Sequence, residues 1–236
     1  MSAFTEKFIK YAEKYSELIS FTDDRSAMFE TLATRLIAAN EHVNLTAICD
    51  EDGIILRHFI DSMTVLPYIG DAKELIDIGC GGGFPTLPVA ICRSDVRITA
   101  LDSTAKKLVF VDDIAKELSL NVTTLATRAE EYGQSDGREM YDLAMSRAVA
   151  RLNVLCELCL PTVRVGGRFV ALKGADGMVE LDEAAGGIER LGGRVTGTKR
   201  LSLGDAGERV IIEIEKTEPT PRAYPRQFSA IKKRPL

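Results

Sequence analysis

The first forty residues carry apolar side chains on a helical beat. Phe4, Phe8, Tyr11, Tyr15 and Leu18 recur at spacings of four and three, which places them on one helix face. After "SFTDD", where Thr22 or an Asp can cap, Met28, Phe29, Leu32, Leu36 and Ile37 repeat the pattern. "NEHVNLT" (40–46) breaks the period and predicts a loop, and a third helical segment is expected from Glu51 to Tyr68, closed by "PYIGD". From residue 73 the texture changes. Short β-rich runs ("ELIDIG", "VRITALD", "NVTTLAT", "YDLAMS", "GRFVALKG") alternate with helical segments, which implies a parallel sheet with right-handed crossovers. The last two runs, "RVTGTKRLSL" and "RVIIEIEK", are joined by "GDAGE" and read as a hairpin, so the final strand should run antiparallel to its neighbours.

Composition narrows the class. Hydrophobic residues make up 45% of 236 and charged residues 28%, the balance of a globular chain large enough for one full core. No run approaches the about eighteen apolar residues of a membrane span, and the charged N-terminus has no signal-peptide core, so a cytoplasmic protein without membrane contact is expected. The five cysteines are odd in number and scattered, as for reduced thiols. Cys156 and Cys159 form one C-x-x-C among leucines; without a second pair it reads as core, and no metal is expected. The net charge of −5 opposes a broad nucleic-acid surface, but 222–236 hold Arg222, Arg226, Lys232, Lys233 and Arg234 and no acid. That run is either a solvated end or an RNA contact.

Chemistry concentrates in "DIGCGGGFP" (77–85), a glycine loop between a strand and a helix. No Lys follows the glycines, which removes a Walker A loop. The dinucleotide spacing G-x-G-x-x-G fails as well, because Phe84 or Thr86 stands where its third glycine should be. The pattern is D-x-G-x-G-x-G, with Asp77 two places before Gly79, then Gly81 and Gly83. An Asp there can orient the loop or meet a cationic ligand, and it would repel a pyrophosphate. A phosphate-free sulfonium donor, S-adenosyl-L-methionine, fits. Asp102 ends the second strand, where a carboxylate can take both ribose hydroxyls or, with Ser103 and Thr104, cap the next helix. Glu130 stands after the third strand, at the adenine edge or simply at the surface.

With these motifs the chain resembles the RsmG (GidB) family of bacterial small-subunit ribosomal RNA guanine-N7 methyltransferases. The resemblance runs in order through "NLT" (44–46), "RHFIDS" (57–62), "DIGCGGGFP", "LDSTAKK" (101–107), "RAEEY" (128–132), "MSRAVARL" (145–152), "LKG" (172–174), "GERVIIEIEK" (207–216) and "YPRQFSAIKKRPL" (224–236). It implies an α/β class I S-adenosylmethionine-dependent methyltransferase: a mostly parallel, Rossmann-like seven-stranded sheet with an antiparallel last strand. A small helical N-terminal region (1–70) should precede the methyltransferase domain (71–216), and a basic tail (217–236) should follow it. Cys80, Thr86 and Thr127 depart from the family's usual Ser or Thr, Gly and Gly.

The resemblance places the donor against Gly79, Phe84, Ala129, Glu130 and Arg147, beside Asp77, Gly81, Gly83, Asp102 and Ser103 from the loop and strand ends. It makes Lys106, Arg128, Arg209, Arg226, Lys232, Lys233 and Arg234 candidates for RNA contact. The acceptor it implies is a loop guanine of 16S ribosomal RNA near the decoding region, free or within the small subunit or its precursor. Guanine N7 is an unprotonated lone pair, so no general base is expected, and Arg147 and Lys106 would act by position and charge. Arg147 could instead be an ion pair with Asp142 or Glu157, and Lys107 is read as solvated. His58 and Asp61 stand one turn apart and should bond each other. A small-molecule methyltransferase and a non-catalytic donor-binding RNA scaffold are the alternatives; nothing demands more than a monomer.

Overall fold

A computed structural model describes residues 1–17 and 25–236. Leu18, Thr22 and the Asp pair of "SFTDD" lie outside the described residues. Helix α1 (Ala3–Lys14) starts where the Ser2 side chain accepts from Thr5 N, and it buries Phe4, Phe8 and Ala12. Helix α2 (Ser26–Asn40) buries Phe29, Leu32, Ala33 and Leu36. The third segment is composite. Its first turn, α3 (Glu51–Gly53), is capped by Asp50. It then widens into a π-helical turn over Ile54–Ile60 and tightens into α4 (Asp61–Met63). π-turns of this kind concentrate at functional sites.

Seven strands then alternate with helices: β1 (Glu74–Ile78), α5 (Thr86–Cys92), β2 (Arg97–Asp102), α6 (Ala105–Glu117), β3 (Val122–Ala126), α7 (Ala129–Gln134), β4 (Tyr141–Arg147) and α8 (Leu152–Cys159). They continue with β5 (Val163–Lys173), α9 (Gly177–Arg190), β6 (Gly193–Ser202), β7 (Glu208–Lys216) and α10 (Phe228–Lys233). The sheet order is β3-β2-β1-β4-β5-β7-β6. The first five strands are parallel, and β7 runs antiparallel to both β5 and β6. This is the mostly parallel sheet with an antiparallel last strand that the strand–helix alternation predicts.

Each sheet face has its own core. On one side Leu75, Leu143, Val170 and Ile211 meet α5, α6 and the N-terminal helices. An aromatic chain runs through that layer: Phe8 to Phe29 with ring centroids 4.5 Å apart, Phe29 to Phe59 at 5.1 Å, and Phe59 to Phe84 at 6.2 Å. On the other side Ile76, Ala144, Phe169 and Ile212 meet α8, α9 and Ile231 of α10. Cys156 and Cys159 are fully buried there, and burial pushes both thiols up. No helix among the described residues is long and apolar enough to cross a membrane.

Candidate functional site

The chain order reverses at β1, which lies between β2 and β4. Open α/β sheets bind ligands in the crevice at the strand ends beside such a reversal. A cleft of about 390 Å³ opens there. Its floor is Ile78, Gly79, Cys80, Gly81 and Gly82, and Asp102, Ser103 and Lys107 stand on one side. Thr127 to Glu130 and Phe228 form the far end; Arg147 to Val149, His58, Phe84 and Leu45 form the opposite wall.

The glycine loop is shaped for this floor. Gly79 has φ +77°, and a Cβ on it would meet Val149 Cγ2 at 2.5 Å. Gly81, at φ +56°, faces open space, so its backbone is offered to the cleft. Its N–H donates to Asp102 Oδ2 at 2.9 Å, while Asp102 Oδ1 accepts from Thr104 N at 2.8 Å. Both bonds fix the carboxylate and leave it lone pairs for a ligand hydroxyl.

Asp77 and Gly83 do not line the cleft. Asp77 is wholly buried, and its Oδ2 accepts from Thr86 N at 3.2 Å and Thr86 Oγ1 at 2.7 Å. It therefore orients the loop and caps α5. Burial pushes its carboxyl up to about 7, against the pull of the Thr86 bonds. Oδ1 has no partner among the described residues. Gly83 packs inward, where a Cβ would meet Leu87 at 2.6 Å. The start of α5, the place a pyrophosphate would occupy, is thus closed: Pro85 has no N–H and Thr86 N is spent on Asp77. The donor set fits a nucleoside without phosphates.

Arg147 closes the opposite wall, and neither Asp142 nor Glu157 holds it. One guanidinium nitrogen (Nη1) donates to Arg57 O at 2.6 Å and to Asp61 Oδ2 at 2.9 Å; Nη2 faces His58 Nδ1 at 3.3 Å. Its Nε is buried with no partner among the described residues. Asp142 instead pairs with Arg164 and accepts from Lys73 N and Glu74 N, and Glu157 pairs with Arg226. The π-turn explains how one arginine reaches Arg57 O, His58 and Asp61 together. The expected His58–Asp61 bond gives way to this shared arginine. His58 accepts from Arg147 at Nδ1, which fixes its proton on Nε2, facing Thr46 Oγ1 at 2.7 Å. Burial and the Arg147 charge pull the imidazole down to about 3, so it is neutral. It stacks on Phe84 with centroids 4.4 Å apart.

Ala148 follows in the left-handed region at φ 55°, a strained conformation for a residue with a Cβ. The turn aims Val149 across Gly79. Beyond it the chain is clamped again: Lys173 Nζ donates to Ala150 O at 2.7 Å and pairs with Glu180, which accepts from Leu152 N.

The basic candidates divide. Lys107 lines the cleft and Lys106 is exposed, because one residue of α6 turns a side chain about 100° around the axis. Arg128 lines the far end, pairing with Glu130 at 2.9 Å. Arg209 is tied to Asp61 Oδ1 at 2.8 Å, and Arg226 to the fully buried Glu157. Lys232, Lys233 and Arg234 are exposed. Sequence spacing gave no reason to expect Phe228, Val149 or Lys107 in the cleft, or Asp61 as the hub of two arginines.

Comparison with known proteins fits this geometry. The family model GidB, described as rRNA small subunit methyltransferase G, matches residues 25–206. A Staphylococcus carnosus protein named "Ribosomal RNA small subunit methyltransferase G" is 44% identical over 224 residues, 92% of this chain and 93% of its own. A Lactobacillus delbrueckii subsp. bulgaricus protein of the same name is 41% identical over 238 residues, covering 98% and 99%. Among solved structures, cofactor-bound Rv0187 from MTB shares the fold at TM-score 0.58 and 17% identity, over 80% of this chain and 90% of that one.

Proposed function

The chain belongs to the GidB family, rRNA small subunit methyltransferase G, and from that premise we propose that it transfers the methyl group of S-adenosylmethionine to N7 of a guanine in a loop of 16S ribosomal RNA near the decoding region. Family membership supports the RNA acceptor. One structural observation carries the donor: Asp77 occupies the start of α5, so the glycine cleft takes a nucleoside that has no phosphates.

In this reading Gly79 and Gly81 offer backbone to the donor, Asp102 takes its ribose hydroxyls, and Ala129 with Glu130 edges the base. Ser103 and Phe84 complete the walls, while Asp77 and Gly83 shape the loop from beneath. The bound donor supplies an electrophilic methyl on a sulfonium centre. Guanine N7 would take that methyl on its own lone pair as the methyl–sulfur bond breaks and S-adenosylhomocysteine leaves; N7 bears no proton, so the protein need not remove one. Its task is position, charge and exclusion of water. Arg147, immobilised by Asp61, Arg57 O and His58, sets its positive charge in the cleft wall that the guanine approaches. Val149 shields the reacting end. Lys107 extends the positive rim of the cleft, and exposed Lys106 meets RNA phosphate.

N7 in an A-form helix lies in a groove too deep and narrow for side chains, so the target is an unstacked loop nucleotide. It is reached in free RNA or in a small subunit or its precursor, by a single copy of this chain in the cytoplasm. The test incubates purified protein and labelled donor with small subunits lacking the modification. Wild-type protein transfers label to a guanine, and Arg147→Ala slows transfer about a hundredfold. Donor binding with no transfer would mark a scaffold, and methylation of free metabolites alone would mark a small-molecule enzyme; either result overturns the reading.

A further inference from the structure

The C-terminal segment is built into the cleft. Phe228, the first residue of α10, lines the far end beside Thr127, Arg128, Ala129 and Glu130. The Arg128 guanidinium lies over the Phe228 ring, 4.4 Å from its centroid, and its Nε donates to Glu130 Oε1 at 2.9 Å. Phe228, Arg128 and Glu130 thus form one stacked wall.

Several anchors hold that wall in place. Ile231, on the same short helix, is fully buried in the core behind the sheet. The Arg226 backbone N–H and Nε each donate to Glu157 Oε1 at 2.8 Å, and Nη2 donates to Oε2 at 2.5 Å. Gln134 Nε2 donates to Pro225 O at 2.6 Å, and Arg138 Nη1 donates to Tyr224 O at 2.9 Å. Gln134 ends α7, the helix whose first residues, Ala129 and Glu130, are cleft wall. One helix therefore shapes the cleft with its start and grips the C-terminal segment with its end. Lys232 is exposed four residues after Phe228, one turn along α10, and Lys233 and Arg234 are exposed beside it.

We propose that α10 is a wall shared by two sites: Phe228 gives the donor's purine an apolar face, and Lys232 and Lys233 meet RNA phosphate. The proposal rests on the donor and acceptor assigned above. The anchors fix both faces of the helix before either ligand arrives, so neither site has to be ordered on binding.

Calorimetry with S-adenosylhomocysteine, and filter binding of a 16S RNA fragment, test the two faces of the wall. Phe228→Ala should weaken S-adenosylhomocysteine binding about tenfold, the worth of one base–aromatic stack, while RNA binding without nucleoside is unchanged. Phe228→Leu keeps an apolar side chain at the site and guards against loss of fold, which a thermal melt verifies; it too should weaken S-adenosylhomocysteine binding, because it removes the ring. Replacing Lys232 and Lys233 with Gln should weaken RNA binding and leave S-adenosylhomocysteine binding unchanged. Wild-type S-adenosylhomocysteine affinity in both Phe228 variants, or wild-type RNA affinity in the Lys variant, would overturn the shared wall and leave the methyltransferase reading standing. Failure of the wild-type protein to bind S-adenosylhomocysteine would overturn both.

Discussion

Asp77 keeps a carboxyl inside the protein with no exposure, and the cost appears in its affinity for protons. In the unfolded chain it ionises near 3.8, whereas burial pushes it up to about 7 in the folded protein. Between about pH 4 and about pH 7 the folded chain therefore holds a proton that the unfolded chain has lost, and stability declines as pH rises through that window. His58 acts in the opposite sense: its site, pulled down to about 3, loses stability as pH falls below 6.5. Asp77→Asn isolates the first effect, because His58 is common to both proteins. The melting temperature of wild type minus that of Asp77→Asn is expected to fall from pH 5 to pH 7.5, and a constant difference contradicts the assignment. Asp61 makes a second residue-scale prediction. Its side chain is 4% exposed and neutralises two arginines, one from β4 and one from β7. Asp61→Asn should cost about 3 kcal/mol in urea denaturation, because it leaves Arg147 and Arg209 without their buried counter-charge.

At the scale of elements, the last helix shows why a run of charge is a weak guide to structure. "YPRQFSAIKKRPL" has the composition of a solvated arm, yet Arg226 is consumed by Glu157, 69 positions earlier, and only Lys232, Lys233 and Arg234 remain exposed. Replacing those three with Gln is expected to reduce the salt slope of RNA binding by about 2 with S-adenosylhomocysteine binding intact, since each lost phosphate contact removes about 0.7. An unchanged slope would place the RNA elsewhere. The lysines of α6 pose the same problem in smaller form. Charge pattern alone cannot tell Lys106 from Lys107, because helix register decides which one meets the cleft and register is set by packing of Leu108 and Val111. The π-turn was equally hidden: its apolar spacing is that of any buried helix, and the widening shows only when Arg57 O, His58 and Asp61 converge on Arg147. What local pattern does carry was legible, from the strand–helix alternation to the hairpin of β6 and β7 and the glycine loop itself.

For the whole molecule, the sheet order decides where chemistry can occur. β1 lies between β2 and β4, and the reversal places Gly79, Asp102 and Arg147, from three different strand ends, around one cleft. The N-terminal helices share a core with one face of that sheet, and through Phe59, Phe84 and His58 they reach the cleft wall. Helix α10 reaches it from the other side. A cleft braced by both ends of the chain suits a reaction that needs position and dryness more than proton transfer. The most direct test is nucleoside mass mapping of 16S ribosomal RNA from cells lacking this gene and from cells complemented with wild type or Arg147→Ala. One N7-methylguanosine near the decoding region should vanish on deletion, return with the wild-type gene and stay largely absent with Arg147→Ala. Identical N7-methylguanosine at every position in all strains would contradict the account.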